Sequence, residues 1–314
     1  MRIAIIGAGS IGGWVAAKLS AAGEAVTLLA REATFAALRE GLELVEQGSS
    51  TITHPHVATN AEELGVQDLL IIAVKAPALA DAARTAAPLI GPATMILPLL
   101  NGVPWWFPEG EPLGSVDPDG AIAAGLPESQ VIGSVVHAAC RRDGSARVIV
   151  AHADKLLLGD PGGGASERVY KLCGLFERAG IACEPSNNIR RAIWYKLWGN
   201  ATINPLSALT LATADRLLAE LKPLILACMA ELAEVGAAIG CPIEESGEER
   251  MAITARLGPF KSSMLQDVEA GRPIELEALL GAPIELAHRA GVAVPTLENL
   301  YAITRLMAES RRLL

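Results

Sequence analysis

The sequence predicts an α/β domain built on a parallel sheet and followed by an all-helical domain, and three observations lead to that reading. Short β-branched or leucine-rich runs alternate with helical stretches through the first third of the chain. A glycine-rich turn stands directly after the first of those runs. Beyond Pro185 strand signals cease, and nearly every later segment has helical periodicity. The expected division is therefore residues 1–185 for the α/β domain and 186–314 for the helical one. A chain of 314 residues, 51% of them hydrophobic, is long enough to bury two cores.

Arg2–Ile6, Ala25–Leu29, Leu69–Val74 and Thr94–Leu99 read as strands, and their near-continuous apolar character suits a parallel sheet covered on both faces. Helices such as Ile11–Ala22 and Ala78–Leu89 supply the crossovers. From Val103 to Pro127 the chain is rich in Pro and Gly and carries Trp105, Trp106 and Phe107, which points to a long loop rather than a packed element. Val131–Ala139, Ala146–Ala151 and Lys155–Leu158 read as further strands with a hairpin turn at Asp143-Gly144, so the sheet is expected to continue there. A helix near Ser166–Ala179 and a short strand around Ile181–Cys183 complete the domain. Mean hydropathy is +0.35, yet the most apolar late stretch, Leu224–Gly240, is broken by Glu231 and Glu234 and reads as a buried helix rather than a membrane span.

A net charge of -9 with no basic stripe disfavours nucleic-acid binding and leaves a small-molecule ligand as the expected partner. The five cysteines, Cys140, Cys173, Cys183, Cys228 and Cys241, show no C-x-x-C spacing, so neither a disulfide framework nor a metal site is expected, and a reducing cytoplasm suits them. His54 and His56, the one close histidine pair, read as loop residues. The apolar opening of the chain resembles a signal peptide, but glycines interrupt it and Lys18 falls where the apolar run should continue.

Gly7-Ala8-Gly9-Ser10-Ile11-Gly12 has the G-x-G-x-x-G spacing between a strand and a helix. In that setting the first glycine permits the tight turn, the second lets backbone approach a pyrophosphate, and the third allows close packing of helix on strand. The helix N-terminus adds unpaired N–H groups for the anion, so these six residues are expected to hold a dinucleotide. The second strand ends at Leu28-Leu29-Ala30-Arg31. Ala30 cannot accept from ribose hydroxyls, whereas Arg31 suits a 2′-phosphate, which favours NADP over NAD; Glu32, one residue on, argues the other way. Lys75 and Asn101 follow the third and fourth strands, on the edge where open α/β sheets bind ligands.

Lys196, Asn200 and Asn204 recur at i, i+4 and i+8, placing three polar groups on one helical face among Trp194, Leu197, Trp198 and Ile203. Two readings of that face stand: a cleft-facing stripe, in which Lys196 has a lowered pKa and donates a proton, or a solvated one. Ser263 with Gln266 resembles a capping box, sufficient by itself to explain the pair but also able to bind a carboxylate. Glu275 and Glu277 fall at the start of the next helix, where the dipole alone favours acidic residues.

Taken in order along the whole chain, these motifs resemble those of the ketopantoate reductase (2-dehydropantoate 2-reductase) family. The Lys196-x-x-x-Asn200-x-x-x-Asn204-Pro205 helix, Ser262-Ser263-Met-Leu-Gln-Asp and Glu275-Leu-Glu are its specific parts. The resemblance implies a Rossmann-type domain followed by a helical domain like that of 6-phosphogluconate dehydrogenases, NADPH as cofactor, and reduction of ketopantoate to pantoate in pantothenate and coenzyme A biosynthesis. It further implies that Lys196 protonates the keto oxygen as the pro-S hydride reaches carbon, with Glu275 binding the substrate hydroxyl and orienting the lysine. Asn101, Asn200, Asn204 and Ser263 would position substrate and cofactor, and Lys75 would face the cofactor. The expected state is monomer or homodimer.

Two departures bear on the substrate. Many family members carry another asparagine about ten residues past Asn204-Pro205; here the stretch reads Leu211-Ala-Thr-Ala-Asp215. The Val103–Pro127 stretch is also longer than the family core requires, and its aromatic cluster either lines an apolar pocket or packs against the second domain. A reductase of a different 2-keto acid, and a redox sensor that binds the dinucleotide without turnover, are the alternatives; the sensor has no need for Lys196, Asn200 and Glu275 together.

Overall fold

The computed structural model describes residues 1–314, which divide into two compact units. One comprises Met1–Leu100 with Gly120–Ile189, and the other comprises Asn101–Asp119 with Arg190–Leu314. The second unit thus takes in a segment that sequence reading left with the first, and the later change of unit falls at Ile189 rather than Pro185.

The first unit runs β1 (Arg2–Ile6), α1 (Ser10–Ala21), β2 (Ala25–Leu29), α2 (Glu32–Glu40), β3 (Leu42–Glu46), β4 (Ser49–Thr53), β5 (His56–Ala58), β6 (Leu69–Ile72), α3 (Leu79–Ala86), β7 (Met95–Pro98), α4 (Ala121–Gly125), β8 (Gly133–Arg142), β9 (Arg147–Gly159), α5 (Glu167–Arg178) and β10 (Cys183–Pro185). Five strands form a wholly parallel sheet in the order β5-β2-β1-β6-β7. The order reverses between β1 and β6, and ligands of open α/β sheets bind at the carboxyl ends of strands flanking such a switch point. Gly7 and Ala73 follow those two strands.

The later strands do not extend this sheet, as had been expected. Val131 and Ile96 form one isolated bridge, after which β8 joins a second sheet with β10, β9, β3 and β4. The runs read as Ala146–Ala151 and Lys155–Leu158 are one strand, β9, and His56 lies in β5 rather than in a loop. The β3–β4 hairpin, absent from the sequence reading, turns at Gln47 and Gly48, both with positive φ. This second sheet explains α1. A helix apolar around most of its girth must be covered around most of it, and α1 buries Trp14, Val15 and Leu19 in one core with Ile3, Leu28 and Leu69 of the first sheet and Leu44, Val148 and Leu156 of the second.

In the second unit α6 (Ile189–Thr210, with Ile189 contributed by the first), α7 (Ala214–Glu220), α8 (Lys222–Ala238), α9 (Gly247–Ala255) and α10 (Ser263–Glu269) lead to a π-turn over Glu277–Gly281 that continues as α11 (Ala282–Ala290), and α12 (Pro295–Arg311) ends it. No helix is long and apolar enough to cross a membrane. Two indole N–H groups fix the rotation of α6: Trp194 Nε1 donates to the Leu232 carbonyl at 3.1 Å and Trp198 Nε1 to the Met229 carbonyl at 2.8 Å, both on α8.

The Trp-Trp-Phe stretch carries no helix or strand, as a loop should, and of the two readings of its aromatic cluster the structure gives the one in which it packs on the helical domain. Trp105, Trp106 and Phe107 are buried, and the Phe107 ring stacks on Trp194 with centroids 6.1 Å apart. Its continuation is fastened to α11, where Glu285 accepts from the backbone N–H groups of Gly114 and Ser115 and from the Ser115 hydroxyl.

Candidate active site

In the first unit the glycine turn forms an anion cradle. Gly7 has φ +112°, and a Cβ there would lie 2.5 Å from the Ala73 carbonyl oxygen, so the turn after β1 is pressed against the turn after β6. A Cβ on Gly12 would lie 1.9 Å from the Gly7 carbonyl oxygen, which is why the first turn of α1 can close over the strand end. Gly9 differs, since a Cβ there would meet nothing nearer than Ala73 O at 3.8 Å, and this residue borders open space. Gly9 is also the N-cap of α1, which has no side-chain cap and no acidic residue in its first turn. The positive end of the helix dipole therefore meets no competing carboxylate of its own helix, and the cradle fits a pyrophosphate. Ala8, Ser10 and Ile11, also in the motif, are part-buried. Exposed Arg31 is the N-cap of α2, directly beyond β2 and Ala30, with Glu32 in that helix's first turn. Lys75, part-buried, caps a short 3-10 turn over Ala76–Ala78 beyond β6.

In the second unit the polar stripe of α6 meets the Asn101 turn. Lys196 is two residues beyond Trp194, so at about 100° per residue it projects roughly opposite the face tied to α8. Its ammonium donates to Asn101 Oδ1 at 2.8 Å. Glu275, only 6% exposed, acts on the same ammonium through its negative charge. Burial disfavours the charged form of Lys196 and outweighs Glu275, bringing its pKa down to about 8. One and two turns further along the same face are Asn200, part-buried, and Asn204, buried. The structure thus brings together Lys196, Asn101 and Glu275 and places both asparagines in line with them.

Two readings at the helix starts need correction. The N-cap of α10 is Ser262, whose hydroxyl accepts from Leu265 N–H at 3.1 Å, while Ser263 is the first helical residue and is exposed. Gln266 completes no capping box, because its side chain donates to the Lys261 carbonyl. Glu275 precedes its helix, its own carbonyl accepting from Leu279 N–H at 3.2 Å, and Glu277 receives the Tyr301 hydroxyl at 2.8 Å.

A contact that the sequence does not announce holds the Asn101 turn. Val103 N–H donates to the Ala278 carbonyl at 2.8 Å. Gly102, with φ +81°, lies so close that a Cβ there would be 2.4 Å from the same oxygen. Asn-Gly signals a tight turn, which accounts for Gly102; nothing in the local sequence announces the partner more than 170 positions away.

Residues 3–163 match the family model described as Ketopantoate reductase PanE/ApbA, and residues 188–308 match the model of its C-terminal part. The 2-dehydropantoate 2-reductase of Mesorhizobium japonicum is 38% identical over 99% of each chain, and that of Halobacterium salinarum 31% identical over 98% of each. A crystal structure of a provisionally named ketopantoate reductase from Ralstonia solanacearum MolK2 superposes with a TM-score of 0.96 at 45% identity, covering 100% of this chain and 99% of that one. Two matched models spanning both units, with relatives of full length, lead to one conclusion: this chain belongs to the ketopantoate reductase family of oxidoreductases.

Proposed function

We propose that the protein is an NADPH-dependent reductase of a 2-keto acid, with 2-dehydropantoate as substrate. The observation that carries this reading is the Lys196 ammonium, held by Asn101 and faced by buried Glu275, with its pKa brought down to about 8 by burial. A lysine so placed polarises a carbonyl and releases its proton as charge gathers on oxygen. The Gly7–Gly12 turn holds the pyrophosphate, Arg31 pairs with the 2′-phosphate, Lys75 faces the cofactor, and Asn101 helps to position cofactor and substrate. When bound, the nicotinamide supplies the hydride that the keto carbon takes up. Lys196 gives its proton to the keto oxygen, so that a 2-hydroxy acid leaves, and Glu275 accepts from the substrate hydroxyl while orienting the lysine. Asn200, Asn204 and Ser263 position the remaining polar groups of the substrate. The relatives named 2-dehydropantoate 2-reductase support the choice of substrate.

A second reading, reduction of another branched 2-keto acid, is favoured by the Leu211–Asp215 stretch, which lacks the asparagine many family members carry. One set of initial rates tests both: NADPH oxidation with 2-dehydropantoate and with a panel of branched 2-keto acids, with NADH alongside. The expected outcome is fastest turnover of 2-dehydropantoate with NADPH. Arg31→Ala is expected to raise KM for NADPH about 10- to 100-fold and leave that for NADH nearly unchanged, the loss of one charge-assisted contact of about 1.5–3 kcal/mol. An enzyme that oxidises NADPH with no member of the panel would end the proposal.

A further inference from the structure

The backbone behind the site is unusual where it carries both groups that act on Lys196. In a regular α-helix Ala282 N–H would bond the Ala278 carbonyl; here it bonds Glu277 O, one residue further back, which makes the π-turn. The Ala278 carbonyl is thereby released, and it accepts instead from Val103 N–H at 2.8 Å. Pro283 explains why the helix widens at this point. It has no N–H for the Leu279 carbonyl, and its ring would crowd that carbonyl in an unbroken α-helix. Gly102 makes the contact close, because at φ +81° and with a virtual Cβ 2.4 Å from Ala278 O the position admits no side chain. Asn101 precedes this clamp directly, and Glu275 leads into the same helix, its carbonyl bonded to Leu279 N–H within the widened region.

We propose that the clamp between Gly102-Val103 and the π-turn is the positioning device of this site, with Gly102 and Pro283 as positioning residues that hold Asn101 and Glu275 in register with the Lys196 ammonium. The inference rests on the reading of Lys196 as proton donor. Neither Gly102 nor Pro283 touches a reacting atom in this scheme. They act through Asn101 Oδ1 and the Glu275 carboxylate, the acceptor and the charged group that face the ammonium from outside α6. π-turns occur preferentially at functional sites, and this one has a stated cause and a stated consequence.

The test follows Lys196 itself. Its side-chain nitrogen resonance is titrated by NMR in the full-length protein, assigned by its loss in Lys196→Ala, and compared in the natural chain, Gly102→Ala and Pro283→Ala. Tm, kcat and KM are measured alongside. Asn101 and Glu275 both favour the charged lysine, so displacing either lowers the titration midpoint below that of the natural protein. The high-pH limb of kcat moves down with it, and kcat falls about tenfold or more, as for a misplaced reacting group. A π-turn that serves only local packing moves Tm and leaves the titration in place. Should Gly102→Ala fail to fold, Pro283→Ala decides, since it restores a backbone N–H. A folded variant of either kind that keeps both the titration midpoint and the kcat of the natural chain overturns the inference. Because the titration needs no substrate, absence of turnover would count against the proposed activity and not against the clamp.

Discussion

Replacing Lys196 with Ala is expected to lower kcat for reduction of the 2-keto acid by about 10³-fold, within the roughly 10²- to 10⁴-fold range of a positioned general acid. The effect is large because on the proposed assignment one ammonium performs two tasks, polarising the carbonyl and supplying the proton. Asn101 accepts from the lysine, and Glu275 offers a carboxylate. The same assignment fixes the pH dependence. Reduction consumes the proton on Lys196, so the active form is the protonated one. With its pKa lowered to about 8 by burial, kcat/KM should be level below that pH and fall about tenfold per unit above it. A lysine with an ordinary pKa would place that limb beyond pH 10. The variant needs a control for folding, because it removes a positive charge that acts on buried Glu275, which is costly. A thermal melt supplies one, read for the helical unit that carries Lys196 and Glu275, and NADPH binding reports the other unit, which carries the glycine cradle. A folded Lys196→Ala protein that binds NADPH and retains kcat within tenfold of the natural chain would put the proton donor elsewhere.

Features set by local patterning were legible in the sequence. The runs that became β1, β2, β6 and β7 read as buried parallel strands because each is almost wholly apolar, and the turn between β1 and α1 was marked by its glycines. Lys196 and the two asparagines were legible as one face of a helix because Trp194 and Trp198 fill another, and the structure ties both tryptophans to α8. What escaped depends on partners distant in the chain. The β3–β4 hairpin carries a Gln47-Gly48 turn that could have marked it, yet its parallel neighbour β9 begins about a hundred residues later, at Arg147. Trp105, Trp106 and Phe107 were legible in part: their Pro- and Gly-rich surroundings read as the loop they form, while the choice between lining a pocket and packing on the helical domain depends on Trp194, far along the chain. The choice of Ser262 over Ser263 as cap turns on one residue of helix phase, which spacing alone does not decide. The π-turn left a trace in Pro283, a proline within a helical run, but its purpose depends on where Val103 N–H finds an acceptor.

The glycine cradle makes the second large prediction, through a contrast between two of its residues. Gly12→Ala would place a methyl group 1.9 Å from the Gly7 carbonyl oxygen and 3.0 Å from Ala73 Cβ. Backbone does not yield as a flexible side chain does, so α1 must move away from the strand end, at the roughly 1–3 kcal/mol typical of overpacking. Tm is expected to fall by several degrees, and NADPH affinity to drop about 100-fold as the helix N-terminus leaves its place. Gly9→Ala should separate these effects. Gly9 has φ -80°, which alanine adopts freely, and the added methyl would meet no protein atom nearer than 3.8 Å. The fold should therefore be indifferent, with Tm unchanged, while the methyl occupies the space through which backbone and pyrophosphate approach each other. Fluorescence titration with NADPH, read beside thermal melts, distinguishes the pair: Gly12→Ala loses stability and binding together, and Gly9→Ala loses binding alone, by about tenfold or more. Natural NADPH affinity in Gly9→Ala would mean that the anion does not rest on this turn, and the assignment of Gly7–Gly12 as the cofactor cradle would have to be given up whatever Gly12→Ala did to the fold.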